Sequence, residues 1–149
     1  MNRKPRVIAI GLFLAIPVIA SVVMIVVARG VATAKQRANS ANCANSIVAI
    51  GCGLRLWVDD NGGKLPKGFI LASNELVWPG ILVCPTDRKS TPAPKWENFT
   101  GNNSSYELGS PDSDLSNPDT IILRCRIHNH VGYADGTVFD GVKRRTKQP

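Results

Sequence analysis

The first 58 residues contain no acidic side chain, and the 22 residues from Val7 to Ala28, VIAIGLFLAIPVIASVVMIVVA, carry no charge at all. At about 1.5 Å per residue that run reaches roughly 33 Å, enough for a bilayer core of about 30 Å. A secretory signal has a shorter apolar core of about 7–15 residues and a small-residue cleavage site. Ala32-Thr33-Ala34 imitates such a site, but Arg29 separates it from the apolar run. A retained membrane helix over 7–28 is therefore expected, with Pro17 tolerated inside it. Histidine is almost missing, with His128 and His130 the only two. No two of the four cysteines stand at close ligand spacing, which argues against a zinc site. The chain also lacks internal repeats and low-complexity tracts.

The net charge of +7 is unevenly placed. Residues 1–58 hold seven Lys/Arg; residues 59–142 hold seven basic and eleven acidic side chains, a net of −4; Lys143, Arg144, Arg145 and Lys147 add four positive charges at the end. Basic residues thus flank the apolar run and mark the tail, while the body is mildly acidic. Anionic headgroups account for this better than a nucleic-acid groove does, so no nucleic-acid partner is expected. Arg3, Lys4 and Arg6 precede the run and Arg29, Lys35 and Arg37 follow it. Charge alone does not orient the helix. The very short first flank makes an inside N-terminus the simpler choice, with the rest outside the cytoplasm.

Five segments follow: a basic flank (1–6), a membrane helix (7–28), its extramembrane continuation (29–58), a small β-rich domain (59–142) and a basic tail (143–149). Between Arg29 and Val58 only Gly30 opposes a helix. Advancing 100° per residue places Cys43, Ile47, Ile50, Gly51, Leu54, Trp57 and Val58 in one stripe to be covered by the domain. On the opposite face Ala34, Ala38, Ala41, Asn45, Val48 and Cys52 recur at spacings of four and three. This seam of mostly small residues suits close helix packing against neighbouring subunits, although an Ala-rich segment also generates such a pattern by chance. Asn61, Gly62, Gly63 and Pro66 then end the helix.

Ile81–Cys84, Ser104–Leu108 and Thr120–Ile127 read as strands, and Asp135-Gly136 as a two-residue type I′ hairpin turn. Cys43 and Cys52 lie about 13.5 Å apart along the helix on opposite faces and cannot pair. Cys84 and Cys125, on two predicted strands, are the disulfide candidates, with Cys43 able to compete for either. His128 and His130 would share one side of a strand, which permits a metal pair, but the hairpin beside them explains the segment architecturally. A Cys84, His130 and Asp135 hydrolase fits residue types alone. Cys84 precedes proline and has no helix N-terminus to activate it, so catalysis is not expected. Asp112, Asp114, Ser116 and Asp119 share one loop whose hard oxygen donors suit Ca²⁺. A solvated, turn-rich loop is the plainer reading, and no cofactor is required.

The stretch CANSIVAIGCGLRLWVDDNGGKLP, Cys43 to Pro66, resembles one found in bacterial type IV pilin-like and type II secretion pseudopilin-like proteins. The matching residues are Cys43, Asn45, Ile50, Gly51, Leu54, Trp57, Asp59, Asp60, Asn61, Gly63 and Pro66. LVCPTD, Leu82 to Asp87, and HNHVGYADGTV, His128 to Val138, resemble two further family segments in the same order. Together the three blocks cover somewhat more than a quarter of the chain. The resemblance implies an α+β fold: a long N-terminal membrane-spanning helix packed against a small antiparallel sheet, in the inner membrane, with the C-terminal domain outside the cytoplasm. It also implies a non-enzymatic structural or assembly role in a cell-envelope filament or secretion apparatus, with the bilayer and other pilin-like subunits, or further copies, as partners. Some pseudopilins hold calcium in a C-terminal loop. The family's membrane-entrance motif has a glutamate where this chain, reading GLFLAI from Gly11 to Ile16, has Ile16. That departure puts peptidase processing, and the charge contact the glutamate makes between subunits, in doubt. A monomeric membrane-anchored binding module on the same fold is the alternative, and a cleaved secreted protein a third reading.

Overall fold

The computed structural model describes the backbone over residues 4–113 and 115–140, and side chains over 19–113 and 115–139. The chain falls into two compact units, Met1–Ala38 and Asn39–Pro149. A single helix, α1 (Lys4–Asp60), supplies the described part of the first unit and the first element of the second.

From Ile19 onward the first unit's helix is exposed on every side, although Ile19, Val22, Val23, Met24, Ile25, Val26 and Val27 are all large and apolar. In water such a surface is unfavourable by about 25 cal/mol per Å², so it needs an apolar surrounding. The helix is long and apolar enough to cross a membrane, which agrees with single-pass anchoring. The proposed span begins at residue 7, and the side chains of 7–18 lie outside the described ones.

In the second unit, α1 behaves as its 3.6-residue period dictates. Cys43, Ile47, Ile50 and Leu54 are at most 1% exposed, and Trp57 packs at the edge of the same core. Ala41, Asn45, Val48 and Cys52 face solvent. The helix stops where expected: Gly62 and Gly63 take φ of 72° and 79°, and the Gly63 N–H returns to the Val58 carbonyl at 2.9 Å. A short helix, α2 (Ser73–Leu76), and several 3₁₀ turns lead into the sheet.

The sheet is a four-stranded antiparallel meander in the order β1 (Tyr106–Leu108), β2 (Ile121–Cys125), β3 (His130–Tyr133), β4 (Val138–Asp140). Ile122 and Leu123 of β2 are buried against the helix stripe together with Leu82, Tyr106 and Cys125. The α+β arrangement is the expected one.

Two local expectations are corrected. Ile81–Cys84 is not a strand: Pro79–Leu82 forms a 3₁₀ turn and Val83 leads out of it in extended form. Proline at the start of that segment fixes φ for a helical turn and removes a donor the ladder would need. The hairpin loop holds three residues, 134–136, not two. Tyr133 and Thr137 are bonded across it (N···O 2.9 Å), the Gly136 N–H returns to the Tyr133 carbonyl, and only Gly136 has positive φ, 86°. A type I′ turn needs positive φ at both central residues, whereas this is a type I turn closed by a left-handed glycine.

Candidate functional site

Four elements deliver one side chain each to a single point in the second unit. Cys43 comes from the buried stripe of α1, Cys84 from the segment after the Pro79–Leu82 turn, Cys125 from the last position of β2, and His128 from the β2–β3 connection. Their Sγ and Nδ1 atoms all lie within 4.8 Å of one another. The three cysteines are at most 1% exposed and His128 is half-buried.

Local structure explains each placement. β2 ends at Cys125, and the chain reverses through Arg126–Asn129 with the Asn129 N–H bonded to the Cys125 carbonyl at 3.1 Å. Asn129 takes φ of 57°, a left-handed value that asparagine tolerates better than most residues. This tight return aims the N–H groups of Ile127 and His128 at Cys125 Sγ, each at 3.4 Å. It also swings the His128 ring over Cys84, with Nδ1 at 3.2 Å from Cys84 Sγ and Nε2 at 3.2 Å from Thr86 Oγ1. Cys84 opens a turn of its own, closed by the Asp87 N–H on its carbonyl at 2.9 Å. Its backbone N–H donates to Ser105 Oγ at 2.9 Å, and Ser105 Oγ donates to Asp87 Oδ2 at 2.6 Å. The Tyr106 hydroxyl donates to Cys43 Sγ at 3.7 Å, within reach for sulfur.

The cluster favours one thiolate. The adjoining Cys43 thiol holds Cys125 below the ordinary thiol range, against burial, with the His128 and Ile127 N–H groups helping. The same contact with Cys125, followed by burial, pushes Cys43 well above the ordinary thiol range. Burial raises Cys84, opposed by the Thr86 backbone N–H. Burial likewise raises Tyr106, so its hydroxyl remains a donor.

The expected sites fare unequally. Cys84 and Cys125 do come together, but with Cys43 as a third member, and all four cysteines are free thiols with no pair at disulfide distance. Cys52, on the exposed face, takes no part. His128 and His130 do not share a strand face: His128 sits in the turn and only His130 in β3. Their rings stack with centroids 5.2 Å apart, and His130 Nε2 is 3.2 Å from Ser40 Oγ. The Cys84, His130, Asp135 set is not assembled, because Cys84 meets His128 while Asp135 Oδ1 accepts from the Thr137 N–H and hydroxyl. Of the calcium candidates, Asp114 lies outside the described residues. Asp112, Ser116 and Asp119 remain on the exposed or half-buried loop, where the Asp119 N–H bonds Asn117 Oδ1 at 3.0 Å. Neither cysteine–cysteine spacing nor the His128/His130 pair points to this cluster. The signal that sequence reasoning passed over is Cys125-Arg126-Ile127-His128, a Cys-x-x-His run at ligand spacing.

No family model, curated protein or solved structure matches this chain. Its layout, one long apolar N-terminal helix followed by a small antiparallel sheet, is loosely consistent with a pilin-like one.

Proposed function

We propose that this chain is a non-enzymatic, membrane-anchored subunit of pilin-like design, with the helix as anchor and packing surface and the sheet domain held outside the cytoplasm. The observation that carries this reading is the division of the second half of α1. One stripe, Cys43, Ile47, Ile50 and Leu54, is sealed under the sheet, while Ala41, Asn45, Val48 and Cys52 are exposed. A helix whose own domain covers only one side leaves the other open to a neighbour, and small residues let a second helix backbone approach closely. Ala34 and Ala38 extend the same exposed series.

The test is chemical crosslinking in native membranes, comparing wild type with Ala38→Leu and Ala41→Leu. Loss of crosslinked oligomers, with thermal unfolding of the domain unchanged, supports the seam. Variants that crosslink and fractionate like wild type remove it. Intact mass of the chain from the same membranes reports whether residues 1–28 are retained, which an uncleaved anchor requires.

A second reading, a monomeric binding module, draws on a different surface. Val77 and Trp78 are 80% and 57% exposed beside a groove of about 530 Å³ that also includes Ser46, Ala49 and Ile81. Trp96 braces this rim, its indole N–H donating to the Val77 carbonyl at 3.3 Å. Sensitivity of partner capture to Trp78→Ala, with the seam variants silent, favours the module over the assembly subunit.

A further inference from the structure

We propose that Cys43, Cys84, Cys125 and His128 bind a single Zn²⁺ ion in a closed, tetrahedral site that ties α1 to the sheet. The inference does not depend on the anchoring role.

Four observations converge on it. The donors are three sulfurs and one imidazole nitrogen, within 4.8 Å of one another. A tetrahedral ion with Zn–S of about 2.3 Å and Zn–N of about 2.0 Å sets S···S at about 3.8 Å and S···N at about 3.5 Å. Drawing the four donors onto an ion therefore takes side-chain adjustments of no more than about an ångström.

The surroundings are those a metal thiolate requires. Cys125 Sγ receives two backbone N–H groups, and Cys43 Sγ receives the Tyr106 hydroxyl. Donors of this kind offset the negative charge of thiolate ligands. With Nδ1 directed at the ion, the Nε2 proton of His128 falls to Thr86 Oγ1, the outer partner that fixes a ligating histidine's tautomer and ring plane.

The count of donors separates a metal from a disulfide. Any one S–S bond among Cys43, Cys84 and Cys125 consumes two sulfurs and strands the third beside His128 in the core, whereas a four-coordinate ion uses every member. Balance is straightforward: three thiols lose their protons to solvent, the neutral imidazole keeps its Nε2 proton, and no electron moves. The donors are soft, which selects zinc over Ca²⁺ or Mg²⁺. Four protein ligands leave no open position, so the site is structural and not hydrolytic. Cys125 and His128 share one Cys-x-x-His turn, while Cys43 and Cys84 come from two distant segments that the core of a small domain would otherwise have to hold to it alone.

The experiment uses the full-length chain, purified in detergent without chelator. Metal analysis is expected to find about one zinc per chain. Thiol-reactive maleimide should then label Cys52 quickly, and Cys43, Cys84 and Cys125 only after a chelator is added, with no reductant needed. Cobalt(II) exchanged into the site should give thiolate charge-transfer and tetrahedral d–d absorption. Cys84→Ser and His128→Ala should each weaken zinc binding at least about tenfold, while His128→Cys keeps the ion and shifts the cobalt spectrum toward four-sulfur ligation. If the serine and alanine variants fail to fold, the wild-type cobalt spectrum and labelling order still decide. Three results overturn the proposal: buried thiols that need reductant before they label, buried thiols that label without chelator, or copper or iron in zinc's place.

Discussion

Gly132 of β3 lies against Ile47 of α1 so closely that a Cβ on the glycine would stand 2.7 Å from Ile47 Cγ2. Its φ is not in the left-handed region, so the restriction is steric and comes from the helix beneath. Gly132→Ala should therefore force the strand and helix apart and cost about 1–3 kcal/mol, read as a lower thermal midpoint. Ile47→Ala removes the opposing methyl and should itself cost about 2–5 kcal/mol. Because the two sites touch, the double variant should be less destabilised than the two single effects added together. Strict additivity would mean that the sheet does not bear on the helix at this point.

Asp87 makes stability depend on acid. Its carboxylate accepts from Ser105 Oγ at 2.6 Å and from the Lys89 and Ser90 N–H groups at 2.8 and 3.2 Å. The Ser105 hydroxyl above all, and then the two N–H groups, hold it well below its ordinary value of 3.8. A carboxyl depressed in the folded state contributes stability above its unfolded value and loses it as pH falls through the folded one. The urea midpoint should therefore drop below about pH 4. Asp87→Asn should lose about 0.5–1.5 kcal/mol at pH 7, because solvent screens the partly exposed carboxylate, and converge with wild type in acid. Parallel curves for the two proteins from pH 7 to pH 3 would remove Asp87 as the cause.

The hairpin glycine is needed for its conformation. Gly136 has φ of 86°, and a Cβ there would run into the Arg55 guanidinium. Gly136→Ala should cost about 1–2 kcal/mol for the left-handed backbone alone. Arg55→Ala removes the guanidinium but not the backbone penalty, so most of the loss should survive in the double variant. Full rescue by Arg55→Ala would show that crowding, not backbone conformation, was the restriction.

The helix was legible because its signal is local and periodic: Cys43, Ile47, Ile50 and Leu54 share a face whatever covers them. Its end was legible for the same reason, in Asn61-Gly62-Gly63. Ile81–Cys84 misled because four apolar residues in a row read as a strand, while Pro79-Gly80 just before them decide the local backbone. Asp135-Gly136 suggested the shortest hairpin. Thr137, which donates two hydrogen bonds to Asp135 Oδ1, pairs with Tyr133 and sets a three-residue loop. The thiol cluster was half visible. Cys125-x-x-His128 is a spacing that can be read directly, but Cys43 and Cys84 join it only through the packing of α1 and the Pro79–Leu82 turn, which no spacing encodes.

Cys52 offers a direct probe of the exposed face. It is the one exposed thiol, with the Arg55 guanidinium 3.5 Å from its sulfur, while the other three are buried. In protein dispersed to monomers, Cys52 should react with a water-soluble maleimide without unfolding, and Cys52→Ala should alter stability by less than about 0.5 kcal/mol. In native membranes the outcome depends on the seam. A second helix packed along Ala41, Asn45 and Val48 would cover the sulfur, so labelling should slow markedly there and recover when Ala41→Leu disrupts the contact. Equal labelling of monomer and membrane protein would show that this face stays open to water, and the assembly role would then need another surface, with the rim at Val77 and Trp78 the next to test.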